Sequence, residues 1–378
     1  MSSDAVRDQY EAYPYPHRDP EEERTRLLEG SPSNLLEIDH MLFRGRRDWS
    51  QPFRVLVAGC GTGDGLIQLA THLDRQACPV EVLAVDLSDA SLEIARRRAE
   101  VRGLTPITFR RMDLLEAAGL GPFDYIDCCG VLHHLPDPDA GFRALAGAVT
   151  EDGGLGLMVY APYGRAGVYE MQDVFRGLLA ALPAAEKVAA ARRILAKLPE
   201  HHAFAKNTLL HDHENSDAGL YDLLLHSQDR AYTVTDLLEA LDRAGLVPVS
   251  LMPPAQYDLS RALPEDQRAR AAAVPERDAM ALAEKLRGDI KVHIVYAARS
   301  AAGRIAKPTP GAARKLGEQI ARKGQFRATL PHETTVIEVP KPAGRAVALA
   351  DGTRTLGQIA TALSLDWMAF QQLWGPVD

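Results

Sequence analysis

The sequence predicts an α/β fold built on an open, mostly parallel sheet with helices on both faces. Three observations support this fold class. Val55 to Val57 form an apolar run of the kind that is buried in parallel sheets, and glycines follow at 59, 61 and 63. A second apolar run begins at Val80 and ends in Asp86, about 20 residues beyond the glycines. Strand and helix patterns then alternate as far as Tyr160, which is typical of parallel strands joined by helical crossovers.

The glycine-rich turn predicts a ligand site. Gly59, Gly61 and Gly63 let the backbone turn sharply beneath the first strand and approach a ligand with no Cβ in the way. Asp86 follows the second strand, where an acidic side chain can accept hydrogen bonds from both hydroxyls of a ribose. A dehydrogenase would share both features. Its GxGxxG pattern, however, requires a third, more distant glycine where this chain has Asp64, so NAD is not expected.

Periodicity and capping residues place the other elements. Ser88 is a plausible N-cap, Thr233 or Thr235 can cap a helix that Gly245 stops, and Gly153-Gly154 reads as a turn. The predicted helices are Ala5–Ala12, Asn34–Phe43, Asp64–Leu73, Ser88–Glu100, Gly141–Val149 and one within Tyr232–Leu246. The predicted strands after the first are Val80–Val85, Ile107–Arg110, Tyr125–Cys128, Leu155–Tyr160, Val247–Met252 and Lys291–Ala298.

The motifs that follow one another along the chain carry a family resemblance. AGCGTG, VDLSDASLEIARRRA, RRMDLL, FDYIDCCGVLHHLPDPDAGFRAL and GGLGLMVY resemble the successive motifs of class I S-adenosylmethionine-dependent methyltransferases, densely over residues 53–160. The start YEAYPYP is similar to the YxxYPYP segment of some bacterial members. The resemblance implies a Rossmann-like sheet of seven strands with an antiparallel last strand. It also implies methyl transfer from S-adenosylmethionine by in-line displacement.

The resemblance further implies which residues bind the cofactor. The glycines wrap its methionine part, Asp86 holds its ribose, and Met112 with Asp113 frames its adenine. The family commonly has an acidic residue two positions before the first glycine, where this chain has Val57, so another residue or a backbone carbonyl must hold the cofactor's α-amine. The expected cofactor-binding residues are Gly59, Cys60, Gly61, Gly63, Asp86, Leu87, Met112, Asp113, Leu114 and Gly130.

Methyl transfer depends mainly on positioning the acceptor and removing its proton where needed. Histidine has the right pKa range for a base, although the pair in LHHL can equally well only shape the cofactor pocket. Arg165 can bind an acceptor carboxylate or phosphate, or form a structural ion pair. The expected catalytic residues are His133, His134 and Tyr163, and the expected substrate-binding residues are Tyr13, Tyr15, Tyr160, Arg165 and His211.

We expect three parts along the chain. Residues 1–50 form an N-terminal arm whose tyrosines either fold over the cleft or simply pack. Residues 51–300 form the methyltransferase domain, with cap insertions at 161–232 and 253–288. The first insertion has helical periodicity and leaves the fifth strand at the rim where ligands bind, so it is expected to cap the substrate pocket. Residues 301–378 form a basic linker and a small α+β module that resembles winged-helix modules.

Composition limits the cellular setting. The 378 residues are 46% hydrophobic with a net charge of −8, so no protein-wide field attracts nucleic acid. The start lacks the features of a signal peptide, and no run of about 18 apolar residues occurs, so a cytoplasmic protein without membrane segments is expected. Neither the cysteines at 60, 78, 128 and 129 nor the HDHE segment at 211–214 has the spacing of a metal site, so no metal is expected.

The acceptor stays open at this point, as a small molecule or a protein or peptide side chain. An alternative is a non-catalytic binding protein that keeps the cofactor fold. The observation that most favours it is Val57, which stands where the family commonly has an acidic residue. A further alternative is an enzyme directed to RNA or protein through the C-terminal module.

Overall fold

The structure is a computed structural model that describes residues 3–104, 106–305, 310–330, 333–350 and 356–365, with residues 354 and 369. Its strands are β1 (Phe53–Ala58), β2 (Val80–Asp86), β3 (Ile107–Arg111), β4 (Phe123–Cys129), β5 (Val149–Tyr160), β6 (Val247–Met252), β7 (Val292–Ala298), β8 (Gln325–Leu330) and β9 (Glu333–Glu338). The first seven strands form one sheet in the order β3-β2-β1-β4-β5-β7-β6. The predicted α/β fold class is therefore confirmed.

The sheet is parallel apart from its seventh strand. β1 pairs in parallel with β2 and β4, β2 with β3, and β4 with β5, whereas β7 runs antiparallel to both β5 and β6. The predicted antiparallel last strand is thus confirmed. Because parallel strands end at the same edge, the loops after β1, β2, β4 and β5 meet there.

The helices cover both faces of the sheet and build the insertions. They are α1 (Ser3–Ala12), α2 (Leu35–Leu42), α3 (Asp64–Arg75), α4 (Asp89–Arg102), α5 (Pro138–Ala148), α6 (Val168–Leu179), α7 (Ala184–Leu195), α8 (Asp212–Asn215), α9 (Asp217–Leu220), α10 (Val234–Arg243), α11 (Arg268–Ala271), α12 (Glu276–Arg287), α13 (Pro310–Lys323), α14 (Ala343–Leu349) and α15 (Leu356–Ala362). Ser88 caps α4 through the Ser91 N–H. Thr233, rather than Thr235, caps α10 in a reciprocal capping box with Asp236.

The core lies on the two faces of the sheet. Along β1, Leu56 packs on one face in a cluster with Ile126 and Leu157. Its neighbours Val55 and Val57 pack on the other face. Burial on both faces explains why β1 is a continuous apolar run, since each fully buried aliphatic side chain contributes about 1.5–3 kcal/mol.

One predicted turn is part of a strand. Gly153 and Gly154 lie within β5, where the register with β4 shifts between Phe123 and Tyr125. A Cβ on Gly154 would come within 2.6 Å of the Leu42 side chain. Gly154 therefore serves the close packing of α2 on the sheet.

The first insertion forms a helical cap with a core of its own. Val168, Met171 and Phe175 of α6 pack with Val188 of α7 and with Leu224. Leu224 belongs to a π-helical turn, Tyr221–Leu225, that follows α9. The cap lies beside the carboxyl ends of the strands because β5 leads directly into it.

The described C-terminal residues form a helix, a hairpin and two further helices. α13 and α14 pack around Ile320, Ala343 and Val347, while α14 and α15 pack around Ala346 and Ile359. The winged-helix resemblance stays a prediction. Of the segment DWMAFQQLW at 366–374, only residue 369 is among the described residues. No described helix combines the length and the apolar character that crossing a membrane requires.

Candidate active site

A cavity of about 420 Å³ lies at the carboxyl edge of the sheet. This volume is within the range of small-molecule sites. Its wall includes Gly59 and Gly61 after β1, Asp86 and Leu87 at the end of β2, and Gly130 after β4, together with Tyr160 at the end of β5. Cys60, Met112, Asp113 and Leu114 also line it. The predicted cofactor-binding residues thus converge on one cavity, with the exception of Gly63.

The glycine turn is shaped so that only glycine fits. Gly59 has φ +73°, and a Cβ there would lie 2.3 Å from Cγ2 of Val131. Gly61 has φ +52°, and its Cβ would lie 3.0 Å from the backbone oxygen of Tyr15. Gly63 sits behind the turn, where it precedes α3 and faces Ala95, and does not line the cavity.

Backbone donors hold the Asp86 carboxylate in place. Its two oxygens accept hydrogen bonds from the N–H groups of Gly61, at 2.8 Å, and Ser88, at 2.9 Å. Burial raises the pKa of Asp86, and these N–H groups oppose the rise. The glycine turn and the carboxylate therefore form one rigid unit.

Two further carboxylates, which the sequence did not single out, lie near the glycine turn. Asp64 is paired with Arg18, at 2.6 Å, and with Arg98, at 2.7 Å. Asp127 lies opposite Val57 in the β1–β4 register and accepts a hydrogen bond from Ser33 Oγ at 2.6 Å. Both line the cavity.

The N-terminal arm covers the glycine turn. Tyr10, Tyr15, Pro16 and Arg18 all line the cavity. The hydroxyl of Thr62 donates to the Pro16 carbonyl at 2.7 Å, which ties the arm to the turn. By contrast, the predicted substrate residue Tyr13 stacks on the Tyr221 ring of the cap, 4.9 Å between centroids, and does not line the cavity.

Asp222 organises the opposite end of the cavity. Its oxygens accept hydrogen bonds from the hydroxyls of Tyr10, at 2.8 Å, and Tyr160, at 3.0 Å. Burial and the Asp222 charge raise the pKa of both tyrosines, so both stay neutral and donate to the carboxylate. Asp222 was not predicted, because it lies in the insertion, where no motif marks it.

The two predicted histidines have different environments. His134 lines the cavity, and its Nδ1 hydrogen bonds to the Gln228 carbonyl at 2.9 Å, which leaves Nε2 as the nitrogen with a lone pair. His133 packs on the Tyr160 ring, 3.9 Å between centroids, and does not line the cavity. Burial lowers the pKa of His133 well below its usual range, with His134 and Arg165 adding to the effect. The position of His133 outside the cavity wall and the weak basicity that its lowered pKa implies both argue against a role as base.

Arg165 is buried in the wall of the cavity near Tyr160. Its guanidinium lies 3.6 Å from the Tyr160 ring centroid and 3.5 Å from a carboxylate oxygen of Asp229. Two predicted residues lie elsewhere and do not line the cavity, Tyr163 in the turn before α6 and His211 on the surface. His211 is exposed, where it hydrogen bonds to Glu214 and to the Thr208 carbonyl.

Two groups of side chains among the described residues have metal-like proximity, namely His134–Asp222–His226 and His133–His134–Asp229. Nδ1 of His226 accepts from the Gln228 N–H, so the ring proton lies on Nε2, which faces the Tyr10 hydroxyl. Asp229 is paired with the cationic Arg165. Tyr10 therefore already occupies the polar atoms of Asp222 and His226, and Arg165 already neutralises Asp229, so neither group has the open ligand set that a metal ion requires.

Comparison with known proteins agrees with this geometry. Residues 56–155 match a family model described as a methyltransferase domain. Over these residues the chain is similar to a methyltransferase domain. The match spans β1 to the middle of β5, and so includes the glycine turn, Asp86 and His134.

Relatives and solved structures extend the similarity beyond these residues. An uncharacterized protein from Synechococcus is 34% identical over 263 residues, 64% of this chain and 58% of its own length. A ubiquinone biosynthesis O-methyltransferase from Neisseria meningitidis is 34% identical over 126 residues, 32% of this chain and 48% of that protein. The chain thus spans about half the length of these curated relatives. PKMT2 from Rickettsia typhi, solved in complex with AdoHcy, matches 92% of this chain and 72% of its own with a TM-score of 0.58 at 14% identity, which establishes the shared fold.

Proposed function

We propose that the protein is an S-adenosylmethionine-dependent methyltransferase whose acceptor presents an amine. One observation carries the proposal. A single cavity joins the glycine turn and Asp86 at one end to Tyr10, Tyr160 and Asp222 at the other. A cofactor and an acceptor can therefore meet within one enclosed space, as in-line displacement requires.

The residues present fit the cofactor. The cradle at Gly59 and Gly61 has no room for a side chain, and Asp86 is oriented by two backbone N–H groups while still facing the cavity. Asp86 would hold the ribose, and Met112 with Asp113 would frame the adenine. When bound, S-adenosylmethionine supplies a methyl group on a positively charged sulfur.

The acceptor end offers hydrogen-bond acceptors. The hydroxyls of Tyr10 and Tyr160 donate their hydrogen bonds to Asp222, so the Tyr160 oxygen is left with lone pairs that can accept. Nε2 of His134 also carries a lone pair. Asp229 is the ion-pair partner of Arg165, whereas the hydrogen bonds that Asp222 accepts from described residues come from the neutral phenols of Tyr10 and Tyr160. An N–H donor or an ammonium group is complementary to this wall. We propose His134, whose Nε2 is buried without a hydrogen-bond partner among the described residues, as the base that takes the proton an ammonium acceptor must lose before methylation.

Three finer expectations belong to this proposal. The YxxYPYP segment would cover the bound cofactor, in keeping with the Tyr15 and Pro16 contacts at the glycine turn. Residues 1–50, 51–300 and 301–378 would act as arm, catalytic domain and accessory module. A cytoplasmic location is supported by Cys60, Cys78, Cys128 and Cys129, all of which are free thiols.

Calorimetry with S-adenosylhomocysteine tests the cofactor half of the proposal. The wild type should bind, Asp86→Ala should bind at least 10-fold more weakly because it loses charge-assisted hydrogen bonds to the ribose, and NAD should not bind. Failure of the wild type to bind would overturn the proposal.

Transfer of a radiolabelled methyl group tests the acceptor half. Lysine-containing peptides and small primary amines should be labelled in preference to phenols and carboxylic acids. A protein that binds the cofactor yet labels none of these would instead be the non-catalytic binding protein. Labelling of peptides that is lost without residues 306–378, while labelling of small amines persists, would favour recruitment through the C-terminal module.

A further inference from the structure

The sequence leaves the cofactor's α-amine without its usual carboxylate, since Val57 occupies the acidic position of the first strand. Val57 of β1 lies opposite Asp127 of β4 in parallel register. Residues in register on neighbouring parallel strands project to the same face, with strands roughly 4.8 Å apart. Asp127 therefore places a carboxylate one strand away from the position where the sequence lacks one.

The Asp127 carboxylate is buried and lacks a cationic partner. Ser33 is its one hydrogen-bond donor, and no Lys or Arg forms an ion pair with it in the part of the chain that the structure describes. The nearby Asp64 differs, because Arg18 and Arg98 neutralise it. Asp86 differs too, because backbone N–H groups bind both of its oxygens.

The surroundings keep this carboxylate open to the cavity. Gly65, at the start of α3, makes room for the Ser33 hydroxyl that positions Asp127, since a Cβ there would lie 2.5 Å from Ser33 Oγ and 3.5 Å from Asp127 Oδ1. Asp127, Val57 and Gly65 all line the cavity, next to the glycine turn. A buried, unpaired carboxylate that faces a ligand cavity calls for a cation or a hydrogen-bond donor from the ligand.

We infer that Asp127 binds the α-ammonium group of S-adenosylmethionine and so replaces, from β4, the acidic residue that β1 lacks. The inference rests on the proposed function and assigns a specific contact within that site. Ser33 acts as a positioning residue, because its hydroxyl holds one carboxylate oxygen and leaves the other for the ligand. Burial raises the pKa of Asp127 to about 6, so the group is largely ionised at neutral pH.

A pair of ligands isolates this contact. S-Adenosylhomocysteine carries the α-ammonium group, whereas 5′-methylthioadenosine has the same nucleoside and sulfur without it. Binding of both is measured by calorimetry at pH 7.5 on the wild type, Asp127→Asn and Asp127→Ser. We expect both variants to bind S-adenosylhomocysteine about 10- to 100-fold more weakly and 5′-methylthioadenosine within about 3-fold of the wild type.

The outcomes separate the two proposals. If the wild type binds neither ligand, the proposed function fails. If the wild type binds S-adenosylhomocysteine and the Asp127 variants bind it equally well, only the present inference is overturned. It is overturned as well if both variants, with melting temperatures no lower than that of the wild type, lose the two ligands to the same extent.

Discussion

Asp222 shows how one buried residue sets the chemistry of the cavity wall opposite the glycine turn. Two tyrosines from distant parts of the chain, Tyr10 and Tyr160, donate hydrogen bonds to its carboxylate. Burial raises the pKa of Asp222, and His134 and the tyrosine hydrogen bonds oppose the rise. The three side chains together present acceptor atoms, which is the property on which the proposed amine specificity depends.

Gly59 allows a prediction at the same scale. Gly59→Ala should lower the free energy of unfolding by more than the roughly 1–2 kcal/mol of left-handed strain, because its Cβ would also clash with Val131. Gly245→Ala is the matched control, with φ +72° and open space around it, and should show the strain alone. Urea unfolding of both variants makes the comparison. Equal losses would show that the contact with Val131 is not restrictive.

The pKa of Asp127 predicts a pH dependence of stability. Burial raises it to about 6, above its ordinary value of 3.8, so between these values the folded chain holds a proton that the unfolded chain releases. Stability is therefore lost as the pH rises from about 4 to about 6. Asp127→Asn removes this loss, so its unfolding free energy relative to the wild type should increase by up to about 3 kcal/mol between pH 4 and pH 7.

The control for this titration is Asp139→Asn. The hydrogen bond from Arg243 lowers the pKa of Asp139 below its ordinary value of 3.8, so this group changes stability only below about pH 4, and the difference between this variant and the wild type should stay nearly constant between pH 4 and pH 7. Urea unfolding without ligand, at several pH values, measures both differences. A difference between Asp127→Asn and the wild type that does not change with pH would contradict the assigned shift.

At the scale of elements, the start of α10 connects the cap to the sheet. The Thr233 hydroxyl accepts from the Asp236 N–H and donates to the Asp236 carboxylate. Thr233→Ala should therefore cost about 1 kcal/mol of stability. Thr235→Ala changes a threonine two residues later in the same helix, and it should change the free energy of unfolding by no more than about 0.5 kcal/mol. Thermal or urea unfolding tests the pair, and equal effects would exclude the capping box.

The N-terminal arm is the element that bridges the domain and the cap. Arg18 pairs with Asp64 beside the glycine turn, while Tyr15 donates to Asp212 of the cap at 3.3 Å. Arg18→Ala should therefore loosen the arm and speed dissociation of S-adenosylhomocysteine, roughly 2- to 5-fold for a partly exposed pair. Arg24→Ala, which breaks only an exposed pair with Glu21, is the control. Stopped-flow measurements in which both variants dissociate like the wild type would show that the arm does not retain the ligand.

At the scale of the whole molecule, the helices α13, α14 and α15 have cores separate from that of the sheet. Arg304, which precedes them in the chain, still binds the sheet. The Arg304 guanidinium donates to the carbonyls of Glu151, Asp152 and Gly153 at the start of β5. A chain ending at Ile305 should keep its affinity for S-adenosylhomocysteine within about 2-fold, because it retains these bonds and the whole cavity.

A chain ending at Arg299 provides the contrast. It lacks Arg304, so three carbonyls of β5 lose their donor, and its melting temperature should be several degrees lower than that of the chain ending at Ile305. Calorimetry and thermal unfolding of the two chains make the comparison. A large loss of affinity in the chain ending at Ile305 would show that the C-terminal elements contribute to the cavity.

The sequence by itself determined the sheet and the cofactor end of the site. Strand patterns, Gly59, Gly61 and Asp86 are local signals, because backbone turns and buried strands depend on neighbouring residues in the chain. The same reasoning located His134 and Tyr160 at strand ends. It could not separate His134 from His133, since consecutive residues differ only in the direction that packing gives their side chains.

Only the tertiary structure shows that Tyr10, Tyr160 and Asp222 meet in one cavity and that Asp127 lies opposite Val57. Tyr10 and Asp222 are 212 residues apart, and their hydrogen bond exists only because the arm and the cap fold over the same cavity. Asp127 faces Val57 through strand pairing, which is a register between segments 70 residues apart and leaves no mark in either segment. Contacts between distant segments follow from packing, and no local pattern encodes them.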